Sequence, residues 1–280
     1  MDRTRTPEAA GRDLELACRI FLHGPRHDER KIDLGGVPAL EILPRRVTGE
    51  GVILFLHGGG YVAGSPRTHR AMMARLADLS GRRVLMPDYR LAPEHRFPAA
   101  FDDALRAARA LSGTPWVIGG DSAGGGLALA VRAALDPDDA PRGAFAFSPW
   151  TDLTLTGQSL GANAERDCLL PADRAGELVN LVLADADPSD PRVSPLFAQA
   201  GLGTPVLLQV SDTEILRDDT MRLADRLREA GTDVTVETWP DAPHVWQMLD
   251  GWVPEAREAL RHVAAFVETR LSLPRSGSGS

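Results

Sequence analysis

The strongest constraint on this chain is a rhythm. Short apolar runs, Val52 to Leu56, Val84 to Met86, Trp116 to Gly119, Gly143 to Phe147, Pro205 to Val210 and Val234 to Thr238, recur along the sequence. Amphipathic segments separate them. Apolar residues at 72, 73, 76 and 79 give 70–79 a helical spacing, and 101–111, 123–135, about 220–230 and 254–271 read the same way. Strands alternating with helices predict an α/β fold, with a mostly parallel central sheet flanked by helices on both faces. The 280 residues allow one large domain or two small ones, with chain enough for a sizeable core. Two regions break the rhythm: residues 1–45, and residues 152–204 with a helix expected near 173–184. Ligands of open α/β sheets bind beyond the carboxyl ends of the strands. Inserted chain there is expected to form a small cap.

Composition narrows the class. The net charge of −8 gives no electrostatic case for gripping phosphate backbones, so no nucleic-acid partner is expected. No run approaches the length of a membrane span, and the start lacks the apolar core of a secretory signal. Two cysteines, Cys18 and Cys168, sit outside any metal-ligand spacing and read as free thiols of a cytoplasmic protein. The Ser/Gly run at 276–280 reads as a linker-like tail.

Gly120-Asp121-Ser122-Ala123-Gly124 joins the apolar run ending at Gly119 to the Ala/Leu-rich helix beginning at Ala123. A strand, a sharp glycine-flanked turn and a helix present a serine hydroxyl as a nucleophile. The helix start adds free N–H groups and the positive end of its dipole. Serine needs a base to take its proton. In chains with this elbow an acid and then a histidine follow the serine. Of the seven histidines only His244 and His262 lie late enough, and only His244 lies in a loop. The acid belongs after the strand ending near Val210, where Asp218 and Asp219 read as helix-start residues and Asp212 and Glu214 both remain open. Backbone N–H groups of the triplet after His57, with that of Ala123, supply an oxyanion hole.

These segments resemble the bacterial hormone-sensitive-lipase-like esterases of the α/β-hydrolase fold. The resemblance rests on His57-Gly58-Gly59-Gly60, Asp88 to His95 with Phe97 to Ala100, Gly120 to Gly125, Ser148 to Leu153, Ser194 to Phe197 and Pro243 to Trp246, and spans about 50–250. It implies Ser122 as nucleophile, His244 as general base, and Gly59, Gly60 and Ala123 as oxyanion donors. It places Glu214 at the acid position, where the family usually carries aspartate, so Asp212 stays an alternative. The segment after Asp88 is implied to be a structural turn, with Asp88, Arg90 and Glu94 in an internal polar network. Tyr61, Trp150 and Trp246 are expected to line the substrate pocket.

The function expected is that of a serine carboxylesterase acting on short-chain or small-molecule esters through an acyl-enzyme, with no metal or organic cofactor. An amidase or a deacetylase of a specialised metabolite is the nearest alternative, and a catalytically dead small-molecule receptor the more distant one. The catalytic pieces run from Gly59 to His244, so residues 1–275 are expected to form a single domain. An edge strand offers a route to a homodimer.

Overall fold

The computed structural model describes residues 15–18, 20–199 and 203–272; the tail at 276–280 lies outside them. Eight strands, β1 (Asp28–Leu34), β2 (Val37–Leu43), β3 (Val52–Leu56), β4 (Arg83–Pro87), β5 (Trp116–Asp121), β6 (Ala144–Phe147), β7 (Val206–Ser211) and β8 (Val234–Trp239), form one sheet in the order β1-β2-β4-β3-β5-β6-β7-β8. The six strands β4-β3-β5-β6-β7-β8 run parallel and correspond to the six apolar runs. β3, β5, β6 and β7 are buried along their whole length, as strands covered on both faces must be.

β1 and β2 pair antiparallel at one edge, and β2 joins β4. This corrects the assignment of residues 1–45 to a cap, because 28–43 belongs to the sheet. The sequence hid β1 for a physical reason. It is an edge strand, DERKIDL, with most side chains in solvent, so charges that keep an edge from pairing replace the apolar signal.

Helices α1 (Pro66–Ser80), α2 (Ala99–Arg109), α3 (Ser122–Ala134), α4 (Ser159–Ala162), α5 (Ala175–Leu183), α6 (Arg217–Glu229) and α7 (Pro254–Ser272) follow in chain order. Met72, Met73 and Leu76 of α1 pack with Leu260, Val263 and Val267 of α7 over Ile53, Phe55 and Phe145 on one face. On the other, Ala104 of α2, Leu127 and Val131 of α3, and Leu223 and Leu227 of α6 cover Leu54, Ile118 and Leu208. α1 starts earlier than its apolar spacing indicates. Ser65 and Thr68 form a capping box, and Pro66 occupies the first turn, where its missing N–H does no harm. Residues 152–199 hold α4, α5 and connecting loops, joined to the body where the Phe97 N–H donates to the Val182 carbonyl. Among the described residues no helix is long and apolar enough to cross a membrane. Cys18 and Cys168 are free thiols, the first buried and the second exposed.

Candidate active site

β5 passes into α3 with no intervening loop. Ser122 sits at the junction with φ +53°, a left-handed conformation that non-glycine residues seldom adopt outside functional sites. A Cβ on Gly124 would lie 2.2 Å from the carbonyl oxygens of both Leu56 and His57, so α3 can begin against the end of β3 only with glycine there. Ala123 is buried in the first helical turn, where N–H groups have no intrahelical acceptor.

The glycine triplet lies alongside. The Gly58 N–H donates to Asp121 Oδ1 at 2.9 Å. Gly59 has φ +124°, and its carbonyl accepts from the N–H groups of Val62 and Ala63, which folds the loop back on itself. The N–H groups of Gly59 and Gly60 have no hydrogen-bond partner among the described residues. Tyr89 supports this loop. Its ring stacks on His57 at 4.3 Å and its hydroxyl donates to the His57 carbonyl at 2.5 Å. Arg90 makes a two-point bond to Asp103, so the expected network of Asp88, Arg90 and Glu94 is replaced by an ion pair to α2.

His244 lies on the loop after β8, with Nδ1 2.6 Å from Glu214 Oε2. Glu214 is 1% exposed, and its Oε1 accepts from Ser148 Oγ at 2.7 Å and from the Ser211 N–H at 2.8 Å. Asp212 turns away. Its Oδ1 accepts from the Asp241 N–H at 2.9 Å, and its carboxylate lies 3.8 Å from Arg166. Burial disfavours a charge on His244, but the adjacent Glu214 carboxylate and its hydrogen bond outweigh this and hold the imidazole pKa above its ordinary 6.5. Ser148, at the end of β6, has φ +47°, and the Trp150 N–H two residues on donates to the Ser122 carbonyl at 3.0 Å. Hydrogen bonds thus stitch together the chain leaving β5, β6, β7 and β8 at one edge of the sheet. His262 lies on α7 and pairs with Glu237, apart from this cluster. Among the described residues no group of three or more His, Cys, Asp or Glu side chains is placed to hold a metal ion.

Comparison with known proteins places the fold and the family. Residues 53–248 match a family described as having the alpha/beta hydrolase fold. An esterase of Acinetobacter venetianus is 37% identical over 269 residues, covering 93% of this chain and 88% of its own. An acetyl-hydrolase of Streptomyces hygroscopicus is 38% identical over 245 residues, covering 85% and 82%. The solved structure of an esterase from the bacterial hormone-sensitive lipase family superposes with a TM-score of 0.91 at 37% identity, covering 96% of this chain and 93% of that one. The chain belongs to the bacterial hormone-sensitive-lipase-like esterases of the α/β-hydrolase fold.

In the esterase, the three aromatic residues expected at the pocket are all buried, Tyr61 and Trp150 in one core cluster and Trp246 in another. Tyr61 and Trp150 flank the elbow. Tyr61 follows Gly60, Trp150 is bonded to Ser122 through its backbone, and their rings lie 6.3 Å apart. Trp246 corrects the expectation. It is 1% exposed and packs with Ala256 and Ala259 of α7, so it is a core residue. Its position two residues after His244 misled, because the loop turns inward at Val245, which has φ +52°.

The esterase also contains supporting residues that motif reading passed over. Asn163 Nδ2 donates to the carbonyls of Asp212 and Glu214, at 3.0 and 2.8 Å, and Asp167 Oδ2 accepts from the Ile215 N–H at 2.9 Å. The segment between β6 and β7 is therefore fastened to the loop that carries Glu214. Ser148 stood inside a quoted motif, but no pattern indicated its bond to Glu214. Above the glycine loop, α5 presents Leu178, whose Cδ2 would lie 2.8 Å from a Cβ on Gly60.

Proposed function

We propose that the esterase is a serine carboxylesterase for small esters of short acyl chains, with Ser122, His244 and Glu214 as its catalytic triad. Ser122 Oγ attacks the ester carbonyl while His244 Nε2 takes its proton. The carbonyl oxygen becomes an oxyanion, which the N–H groups of Gly59, Gly60 and Ala123 receive. Collapse expels the alkoxide, which takes the proton from His244 and leaves as the alcohol. Water then attacks the acyl-enzyme by the same route, and the carboxylic acid departs. Glu214 holds the imidazole with Nδ1–H toward itself and stabilises the imidazolium in both halves.

The observation that carries this reading is the 2.6 Å bond between buried Glu214 and His244 on the sheet edge where the Ser122 elbow ends. The same bond favours Glu214 over Asp212. A short acyl group is supported by Leu178 lying close over Gly60, and by the similarity to an acetyl-hydrolase. The described residues between 28 and 272 contribute to one sheet or its cover, which supports a single catalytic domain. β8 ends the sheet at an unpaired edge, and a homodimer through it would appear as a doubled mass in light scattering.

The test is hydrolysis of p-nitrophenyl esters from acetate to decanoate. Wild type is expected to prefer acetate or butyrate, and a fluorophosphonate is expected to add to Ser122 alone, as read by peptide mass spectrometry. Undiminished turnover by Ser122→Ala overturns the reading.

A further inference from the structure

A second imidazole–carboxylate pair lies against the elbow. His69, inside α1, places Nε2 3.1 Å from the carboxylate of Asp121, the residue before Ser122. The two side chains are 4% and 3% exposed. The proposed reaction uses neither.

Hydrogen-bond bookkeeping fixes what the ring does. Thr68 has one hydroxyl hydrogen and donates it to the Ser65 carbonyl at 2.7 Å. Thr68 Oγ1 also lies 2.7 Å from His69 Nδ1, so the ring is engaged at that nitrogen too. At Nε2 the ring faces a carboxylate, which accepts. His69 therefore donates from Nε2 to Asp121 and is held at Nδ1 by Thr68. The neighbouring His57 makes no bond to Asp121. Burial and then the nearby His69 push its pKa down to about 4, which leaves Asp121 to His69. The other bond of the Asp121 carboxylate is to the Gly58 N–H, at 2.9 Å. One carboxylate thus joins α1, the end of β5 and the loop carrying Gly59 and Gly60.

We propose that His69 and Asp121 are positioning residues for ester hydrolysis, which set the spacing of the Gly59 and Gly60 N–H groups against Ser122. The pair touches no substrate and acts through Gly58. Its second effect is electrostatic. A carboxylate without a donor beside the oxyanion hole would oppose the charge forming there, and the hydrogen bond from His69 offsets it. The proposal rests on the assignment of Ser122 as nucleophile and of Gly59, Gly60 and Ala123 as oxyanion donors.

The test is a double-mutant cycle of His69→Phe, Asp121→Asn and the two together. In Asp121→Asn the amide oxygen still accepts from Gly58, and no carboxylate charge is left at the site. For p-nitrophenyl acetate, His69→Phe is expected to lower kcat by about 30–100-fold with KM within about twofold, and Asp121→Asn by about fivefold or less. The double variant is expected to resemble Asp121→Asn, because no bare carboxylate remains. A trifluoromethyl ketone, which binds by accepting the serine oxygen and becoming an oxyanion, should lose affinity for His69→Phe in step with kcat. The matching methyl ketone should bind as before. A merely structural role would move both inhibitors or neither. Additive losses, or an unchanged trifluoromethyl ketone affinity in a slowed His69→Phe, overturn the proposal. If His69→Phe does not fold, Asp121→Ala against Asp121→Asn carries the same inhibitor comparison. Failure of the serine assignment shows separately, as fluorophosphonate labelling away from Ser122.

Discussion

Two histidine–carboxylate pairs flank Ser122, and they differ in what each imidazole has left to give. His244 and Glu214 hang on the loops after β8 and β7. His244 is bonded through Nδ1, and among the described residues its Nε2 takes no partner. His69 and Asp121 sit inside α1 and at the end of β5, and both nitrogens of His69 are engaged. An imidazole with an idle nitrogen can carry a proton between reacting atoms, whereas one with both committed can only hold its neighbours. The same two side-chain types, one residue apart in their approach to the elbow, thus divide chemistry from support.

The contrast breaks most visibly in rate. His244→Ala is expected to lower kcat/KM by about 10^4-fold or more, leaving catalysis to the oxyanion donors and binding. Glu214→Gln keeps the size but allows the wrong tautomer, and should cost about 10^3–10^4-fold in kcat. Asp212→Asn should leave kcat within about threefold, since the Asp212 carboxylate meets the exposed Asp241 N–H and Arg166 and not His244. If those two results exchange places, the acid is misassigned.

Stability should invert the order. His69→Phe strands a buried carboxylate and is expected to lose about 3 kcal/mol in chemical denaturation. His244→Ala leaves buried Glu214 its bonds from Ser148 Oγ and the Ser211 N–H, whereas Asp121 in His69→Phe would keep only that from Gly58, so His244→Ala should lose less. The pH profile sharpens the contrast further. The pKa of His244 is held above 6.5, so the acid limb of kcat/KM, where the base becomes protonated, should fall above that value. Glu214→Gln removes the raising charge and should move the residual limb to lower pH.

The smallest rate effect is expected at Asp219, a buried carboxylate with no histidine. It accepts from the N–H groups of Thr151 and Asp152, and burial pushes its pKa up to about 7. Its folded pKa exceeds the ordinary 3.8, so its contribution to stability declines as pH rises from about 4 to about 7. Asp219→Asn should remove that decline, read as denaturation midpoints at pH 5 and pH 8, with activity within about twofold.

The legible parts of the molecule were those written in one stretch of chain. The Ser122 elbow was readable because strand, glycine turn and helix are contiguous, and the parallel strands because burial on both faces makes them apolar throughout. β1 was not, since an exposed edge strand needs no apolar alternation. The choice between Glu214 and Asp212 was not, since it depends on which carboxylate meets His244, 30 residues on from Glu214. His69 belonged to no motif, because its partner lies 52 residues on, inside the elbow itself.

The bonds from Asn163 and Asp167 to the loop carrying Glu214 bear on how such enzymes can be recombined. A cover segment tied to the acid loop cannot travel between relatives as an independent cassette. Exchanging residues 152–204 alone would bring in foreign partners for the carbonyls of Asp212 and Glu214 and for the Ile215 N–H. A viable chimaera must inherit 163–167 and 212–215 from the same parent. The freedom to diversify substrate range is then left to α5 and its flanks, which overhang the glycine loop without holding the acid.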